Sequence, residues 1–228
     1  MTIKTCVFDA YGTLFDVTAA AREAAEEPGN AALRDTWQAL AAHWRDKQLQ
    51  YTWLRAVTGE HTDFWHVTQD GLDWAMEALG LSDAALRERL LALYWELAAY
   101  PEVPDMLNTL KATGYNTAIL SNGSPEMLTG AVESAGLEGL LDDVLSVEKV
   151  GVFKPNPRVY DMVTTRFISP RDEVLFVSSN GWDAAAASAY GFQTVWVNRA
   201  GLPMDRLPGT PQHVCADLTD IPALAGRL

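Results

Sequence analysis

Four segments of the chain place carboxylates, a lysine and small polar side chains where they could carry chemistry. Asp9 and Ser121 each follow a short apolar run, and Asp183 lies just beyond a third run. Lys154 stands in a Phe-Lys-Pro loop between two of these runs. If these segments meet, they bring acids, one lysine and several hydrogen-bonding groups to one place. The four segments are therefore candidates for a single functional site.

Each of these residues also has an ordinary structural explanation when it is taken alone. Asp9 could cap the turn after its strand, Ser121 could form a serine turn, and Asp183 could be an acid favoured by the first turn of a helix. Asn180-Gly181 is a common turn dipeptide, and Lys154 could be an exposed loop lysine. The functional interpretation therefore depends on all of these residues meeting at one edge of the fold.

The elements that would bring these residues together are strands that alternate with helices. Apolar, β-rich runs predict strands at 3–9, 115–121, 143–147, 173–178 and 192–197, and helices are predicted at 104–113, 125–136, 157–167 and 182–190. This alternation indicates βαβ units and a mainly parallel sheet. Ligands of such sheets bind beyond the carboxyl ends of the strands. We therefore expect an α/β fold with a Rossmann-like core and its ligand site at that edge.

Residues 17–99 differ from the rest of the chain and predict a helical insert. Leucines and tryptophans from Leu33 to Trp44 share one helical face, and the leucines from Leu86 to Leu97 repeat the spacing. Ser82 is the expected N-cap of the later helix. We expect two domains, an α/β core formed by 1–16 and 100–228 and a helical cap domain at 17–99, a size within the usual domain range.

Composition and charge exclude several classes of protein. The 228 residues are 48% hydrophobic and 21% charged, close to a globular average and unlike a disordered or rod-shaped chain. The net charge of −13 disfavours nucleic acid and anionic membranes as partners, and no apolar run of about 18 residues is available to span a membrane. Cys6 and Cys215 cannot form a disulfide framework. Because the first residues also lack a signal peptide, we expect a cytoplasmic location.

Taken together, the motifs resemble the haloacid dehalogenase superfamily and, within it, the L-2-haloacid dehalogenases. Four core segments stand in the expected order: DAYGTLFD at 9–16, LSNGS at 120–124, Lys154-Pro155 and SSNGWD at 178–183. The insert segment WRDKQLQYTWLR at 44–55 is also similar. The resemblance covers nearly the whole chain. It implies a hydrolase that converts (S)-2-haloalkanoic acids to (R)-2-hydroxyalkanoic acids and halide through an aspartyl ester.

The resemblance also implies roles for individual residues. Asp9 would be the nucleophile, Lys154 would hold it, and Asp183 would orient Lys154 or the hydrolytic water. The implied catalytic set is completed by Thr13, Ser178, Asn180 and Tyr160. The substrate or the departing halide would be bound by Arg45 on the insert and by Tyr11, Leu49, Phe64, Ser121, Asn122 and Trp182. Without the resemblance, Tyr160 and Phe64 would be interpreted as ordinary core residues.

Two positions depart from the phosphatases of the same superfamily. Tyr11 stands where a phosphatase carries the acid that protonates the leaving alkoxide, and a halide leaves without a proton. Ser179 stands where the first of the acids that hold Mg²⁺ would be. We therefore expect no cofactor and no metal, a small-molecule 2-haloacid as the substrate and, since the resembling enzymes are typically dimers, a homodimer.

Other functions remain open at this point. A Mg²⁺-dependent phosphatase of the same superfamily is one alternative, and a non-catalytic module that binds small carboxylates or a partner protein is another. A receiver domain would be much smaller and would place its phosphoacceptor after an internal strand. A dinucleotide-binding domain is disfavoured because no GxGxxG motif follows any strand.

Overall fold

The computed structural model describes residues 2–228, and its centre is one sheet of six short strands. In chain order they are β1 (Thr5–Phe8), β2 (Asn116–Ser121), β3 (Asp143–Ser146), β4 (Val174–Ser178), β5 (Gln193–Val197) and β6 (His213–Cys215). The spatial order is β3-β2-β1-β4-β5-β6, and every neighbouring pair is parallel. All residues of β1 and β4 are buried, as expected when helices cover both faces of a parallel sheet. The predicted α/β class is confirmed, with a sixth strand that was not predicted.

Residues 2–228 also form ten α-helices. They are α1 (Ala19–Glu26), α2 (Ala31–Arg34), α3 (Trp37–Thr58), α4 (Phe64–Ala78), α5 (Ala84–Trp95), α6 (Val103–Ala112), α7 (Pro125–Ser134), α8 (Pro157–Phe167), α9 (Gly181–Tyr190) and α10 (Ile221–Ala225). Between residues 2 and 228, none of them combines the length and the apolar character needed to cross a membrane.

Strand β1 is the point at which the strand order reverses. β2 and β3 lie on one side of it, and β4 to β6 lie on the other. Ligands of open parallel sheets bind in the crevice at such a reversal, beyond the carboxyl ends of the strands. Asp9 directly follows β1, and its backbone N–H donates to the carbonyl of Val177 at 2.9 Å. The sheet therefore positions Asp9 at the expected site of ligand binding.

Two local predictions about the helical insert are wrong. The face from Leu33 to Trp44 is divided, because α2 ends at Arg34 and α3 begins at Trp37. The N-cap of α5 is Asp83 rather than Ser82, since the Asp83 carboxylate accepts from two backbone N–H groups of the first turn at 2.9 and 3.1 Å. A carboxylate one residue closer to the helix satisfies the amides that Ser82 was expected to satisfy.

The two chain segments that join the insert to the sheet run side by side. Phe15 and Ala99 form an antiparallel bridge, and the backbone N–H of Tyr100 donates to the carbonyl of Leu14 at 2.9 Å. These contacts lie at the predicted boundaries of the insert. That residues 17–99 form a separate domain remains a prediction.

Residues 198–212 form a long connection between β5 and β6. Its last part is fixed on α9, because the Ser188 hydroxyl donates to the carbonyl of Thr210 at 2.7 Å. A Cβ added at Gly209 would lie 1.9 Å from the carbonyl oxygen of Ala185. Only glycine therefore allows the connection to approach α9 this closely.

Candidate functional site

Asp9 lies at the centre of a cluster of side chains from separate strand ends. Lys154 Nζ donates to Asp9 Oδ1 at 3.1 Å. Thr13 Oγ1 and Asn180 Nδ2 donate to Asp9 Oδ2 at 3.0 and 2.8 Å. Asp9 as a residue is 6% exposed. Three donors therefore fix the orientation of a carboxylate that is almost closed off from solvent.

Lys154 bridges the two buried carboxylates of the cluster. Its Nζ lies 3.1 Å from Asp9 Oδ1 and 2.8 Å from Asp183 Oδ2. Burial by itself would lower the pKa of Lys154, but the negative charges of Asp183 and Asp9 outweigh burial and raise the pKa. The backbone N–H of Lys154 also donates to Asn122 Oδ1 at 2.9 Å. Asn122 thus fixes the loop that carries the lysine.

Asp183 lies in the first turn of α9 and is fully buried. Its Oδ1 accepts from the hydroxyl of Tyr160 at 2.6 Å, while its Oδ2 accepts from Lys154. Burial and the charge of Asp9 raise the pKa of Asp183, although Lys154 acts in the opposite direction. Burial and the charge of Asp183 raise the pKa of Tyr160 well above its usual value. Tyr160 therefore remains a hydrogen-bond donor to Asp183 at neutral pH.

The loop after β1 and the loop after β4 are tied together beside Asp9. The backbone N–H of Ser179 donates to Thr13 Oγ1 at 2.8 Å. Gly12 has a φ of +88°, and a Cβ there would lie 3.1 Å from Ser179 Oγ. This left-handed conformation and close approach favour glycine. Ser179 was not predicted as a site residue, although it belongs to the motif at 178–183.

Two predicted polar residues act within their own loops. Ser178 Oγ accepts from the backbone N–H of Asn180 at 3.1 Å, and Ser121 Oγ accepts from that of Gly123 at 3.0 Å. Both serines are fully buried, at the ends of β2 and β4, the two strands that flank β1. These bonds shape the turns from which Asn180 and Asn122 reach Asp9 and Lys154.

Arg45 brings a positive charge from α3 to the edge of the sheet. Its Nη1 donates to Gln48 Oε1 at 2.8 Å. Its Nη2 donates to the carbonyl of Tyr11 and to Asn180 Oδ1, both at 3.2 Å. Asn180 consequently contacts both Arg45 and Asp9. The insert thus completes a site that combines a buried carboxylate with a guanidinium.

Aromatic rings line the insert side of this site. The Tyr11 ring lies 5.6 Å from Phe64 and stacks on Tyr94 at 5.7 Å. Tyr94 also packs against Trp44 at 4.8 Å. Tyr94 was not predicted as a site residue, and neither was Gln48, which accepts from Arg45. The sequence signal for Gln48 is a polar residue three positions after Arg45 on a helical face that is otherwise buried.

Leu49 and Trp182 lie in hollows outside the hydrogen-bonded cluster. Leu49 is half-buried and lines a surface hollow with His43 and Trp74. Trp182 packs edge-on against Trp53 at 5.4 Å and lines a mainly apolar hollow of about 900 Å³ that also reaches Tyr160. Their expected contact with substrate remains a prediction.

The donor set of the site does not fit Mg²⁺. Within residues 2–228, no group of three His, Cys, Asp or Glu side chains is arranged to hold a metal ion. The two facing carboxylates, Asp9 and Asp183, are bridged by the ammonium of Lys154. Ser179 supplies a hydroxyl where a third hard anionic ligand would be needed.

The chain is similar to known proteins over nearly its whole length. A model of the haloacid dehalogenase-like hydrolase family matches residues 3–191. (S)-2-haloacid dehalogenase 1 of Pseudomonas sp. (strain CBS-3) is 43% identical over 227 residues, which cover 99% of this chain and 98% of that protein. Haloacetate dehalogenase H-2 of Moraxella sp. (strain B) is 37% identical over 210 residues, 92% of each chain. The L-2-haloacid dehalogenase structure from Xanthobacter autotrophicus with chloropropionic acid covalently bound matches with a TM-score of 0.86 and 35% identity, over 98% of each chain.

Proposed function

The chain belongs to the haloacid dehalogenase-like hydrolases, and from this membership we propose that it hydrolyses (S)-2-haloalkanoic acids to (R)-2-hydroxyalkanoic acids and halide. The observation that carries the proposal is Asp9 held by three donors, with Tyr11 rather than an acid two residues later. A halide leaves without a proton, so no acid is needed there. Relatives named (S)-2-haloacid dehalogenase and a relative with a covalently bound chloropropionic acid support the same reaction.

In the first step, an oxygen of Asp9 attacks C2 of the substrate from the side opposite the halogen. The new C–O bond forms as the carbon–halogen bond breaks, and the halide takes the electron pair. A carboxylate is a weak nucleophile, so the orientation imposed by Lys154 and Asn180 matters. Arg45 attracts the anion: unit charges about 4 Å apart gain about 4 kcal/mol at an effective dielectric near 20.

In the second step, water attacks the ester carbonyl carbon of Asp9. The bond between that carbon and the former Asp9 oxygen now attached to C2 breaks. This releases the hydroxy acid, restores the carboxylate with one oxygen from water, and frees one proton to solvent. We assign Asp183 to the orientation of Lys154 rather than of water, because both of its oxygens already accept hydrogen bonds from Lys154 and Tyr160. Lys154 then stabilises the negative charge that develops on the Asp9 side of the ester.

A single turnover in ¹⁸O-water with excess enzyme tests this sequence of steps. The label should enter the Asp9 carboxylate, detected as a mass increase in the peptide that contains it, and the first hydroxy acid released should be unlabelled. Label that appears first in the hydroxy acid would mean that water attacks C2 directly, and it would end the ester mechanism.

Halide release from the two enantiomers of 2-chloropropionate tests the substrate class. The (S)-enantiomer should be turned over in the presence and in the absence of a chelator, and the (R)-enantiomer should not. A protein that instead releases phosphate from a phosphomonoester in a Mg²⁺-dependent way, with no halide release, would be the phosphatase alternative. A stability increase on carboxylate binding without turnover would support the binding module.

We also propose a cytoplasmic homodimer. Both cysteines, Cys6 and Cys215, are free, which suits a reducing compartment. Trp53, Val57 and Leu207 are exposed apolar side chains beside the hollow that Trp182 lines, and such a patch suits an interface between copies. Light scattering should give twice the chain mass, and a Val57→Glu variant should shift it toward the monomer.

A further inference from the structure

Gln48 is a buried amide that the reaction steps above do not use. It lies on α3 three residues after Arg45, and only 1% of it is exposed. Its Oε1 accepts from Arg45 Nη1 at 2.8 Å. Its Nε2 donates to Thr68 Oγ1 at 2.8 Å and to the hydroxyl of Tyr94 at 3.1 Å. The amide is therefore fully bonded, as a buried polar group must be to avoid a large desolvation cost.

The partners of Gln48 fix which way its amide points. Thr68 donates its own hydroxyl proton to the carbonyl of Phe64 at 2.8 Å, so its oxygen is left to accept from Gln48. A guanidinium has only donors, so Arg45 requires the oxygen of Gln48. Swapping the amide oxygen and nitrogen would place donor against donor at Arg45. The network therefore holds Arg45 in one direction, toward Tyr11 and Asn180.

All three acceptors of Arg45 are neutral: an amide oxygen of Gln48, the backbone carbonyl of Tyr11 and the amide oxygen of Asn180. Arg87, also on the insert, shows the other arrangement, since it pairs with the carboxylates of Asp73 and Glu88. Neutral acceptors fix a guanidinium without cancelling its charge, which stays available to an anion.

We propose that Gln48 is a positioning residue of the dehalogenase, one that aims Arg45 at the site and leaves its full charge for the substrate carboxylate or the departing halide. This inference rests on the proposed function. It predicts that a carboxylate at position 48, although similar in shape, harms the enzyme more than an apolar side chain does. An ordinary packing role would predict the reverse, because Glu preserves hydrogen bonds that Met removes.

The test compares Gln48→Glu and Gln48→Met with the wild-type enzyme. We measure kcat and KM for (S)-2-chloropropionate, and competitive inhibition by propionate and by bromide. Gln48→Glu should lower kcat/KM roughly ten- to hundredfold, the range expected when an interaction with a charged group is lost, and weaken inhibition by both anions. Gln48→Met should show a smaller loss. The matched control is Gln50→Met, because exposed Gln50 bonds only Lys47 on the outer face of α3, and its kinetics should match the wild type.

Tyr94→Phe provides a second variant, which acts on Gln48 by removing one of its hydrogen-bond partners. It removes the hydroxyl, which lies 3.1 Å from Gln48 Nε2 and 3.2 Å from Gln48 Oε1, and keeps the ring that stacks on Tyr11. We expect a few-fold weakening of inhibition by propionate and bromide, with near-wild-type thermal stability. This variant keeps the proposal testable if a position-48 variant fails to fold.

Two results would overturn the proposal. One is a folded Gln48→Glu enzyme with wild-type kinetics and anion inhibition. The other is an equal loss of activity in Gln48→Glu and Gln48→Met that follows an equal loss of thermal stability, which would make Gln48 structural. A wild-type protein that releases no halide would refute the proposed function instead. Calorimetric binding of propionate to wild type and Gln48→Glu would still decide the role of Gln48 in that case.

Discussion

The carboxyl ends of the strands, here called the sheet edge, and the insert stabilise their buried charges in opposite ways. At the sheet edge, Lys154 lies between Asp9 and Asp183, so each buried charge has an opposite charge within 3.1 Å. On the insert, Arg45 is held by neutral oxygens, one of them from Gln48. At the sheet edge, the opposite charges neutralise one another. On the insert, the partners of Arg45 are neutral, so its positive charge is available to a ligand.

This difference separates stability from ligand binding. Removing one member of a buried ionic cluster leaves its partners buried and unpaired, which destabilises the fold strongly. Removing Arg45 leaves only neutral oxygens, which water or another donor can satisfy. Changes at the sheet edge should therefore affect both folding and turnover, and changes at Arg45 should affect mainly turnover.

The largest effect is expected from Asp9→Asn, which removes the nucleophile with little change in shape. Halide release should fall by at least about a thousandfold, since loss of a covalent nucleophile leaves only binding effects. The assay is halide release from (S)-2-chloropropionate. The control is Asp16→Asn, a nearby carboxylate that pairs with Arg22 and should be close to wild type. Near-normal turnover in Asp9→Asn would show that Asp9, at the sheet edge, is not the nucleophile.

Lys154→Met should destabilise the fold by about 3–5 kcal/mol, because it leaves Asp9 and Asp183 facing each other without a cation. Urea denaturation of the variant and the wild type measures this difference. Lys111→Met is the matched control: its partly exposed pair with Asp142 should contribute at most about 1 kcal/mol. Equal effects of the two variants would contradict the contrast between the regions.

Arg45→Ala should lower kcat/KM roughly ten- to hundredfold, in line with a lost interaction with a charged group, and leave the urea midpoint nearly unchanged. Kinetics with (S)-2-chloropropionate and urea denaturation together test whether Arg45 affects turnover without affecting stability. Arg89→Ala, which breaks a surface pair with Glu27, is the control and should retain wild-type kinetics. An Arg45→Ala enzyme with unchanged kinetics would remove Arg45 from the mechanism.

Stability at high pH gives a smaller effect with a definite sign. Since Asp183 and Asp9 raise the pKa of Lys154 above 10.5, its contribution to stability is fully present below that ordinary value and is lost as the pH rises through the raised value. The difference in free energy of unfolding between wild type and Lys154→Met should be constant near neutral pH and shrink at strongly alkaline pH. A difference that grows with alkaline pH would contradict the raised pKa.

The smallest effect concerns the two thiols. Burial raises the pKa of Cys6, in β1 below Asp9, to about 12, whereas Cys215 lies in the edge strand β6 and is partly exposed. Iodoacetamide at mildly alkaline pH should label Cys215 first and Cys6 only after denaturation, as peptide mass spectrometry can show. Rapid labelling of Cys6 in the native protein would mean that the sheet edge opens readily.

The sheet edge could be predicted from sequence because its geometry follows from a simple rule. Asp9, Ser121 and Ser178 each end or follow a predicted strand, and parallel strands bring these ends to one edge. The motif order then supplied Lys154 and Asp183. Neither step needed the packing of helices against one another.

The insert could not be predicted to the same depth. The bond between Gln48 and Tyr94 joins residues 46 positions apart on α3 and α5, and helical spacing does not specify which faces meet. The apolar spacing predicted one helical face from Leu33 to Trp44, whereas α2 and α3 are separate helices. Periodicity does not detect the local change in backbone angles between them. Strand β6 was missed because its three residues are not buried and form no apolar run.

The close approach of Gly209 to α9 limits which substitutions the connection between β5 and β6 can accept. Leu202, an exposed position of the connection between β5 and β6, can accept other side chains with little constraint. Gly209 cannot, because any side chain would push the connection away from α9, the helix whose first turn bears Asp183. The start of the connection is fixed as well, because Arg199 Nη2 donates to the carbonyl of Thr13 in the loop beside Asp9 at 3.2 Å.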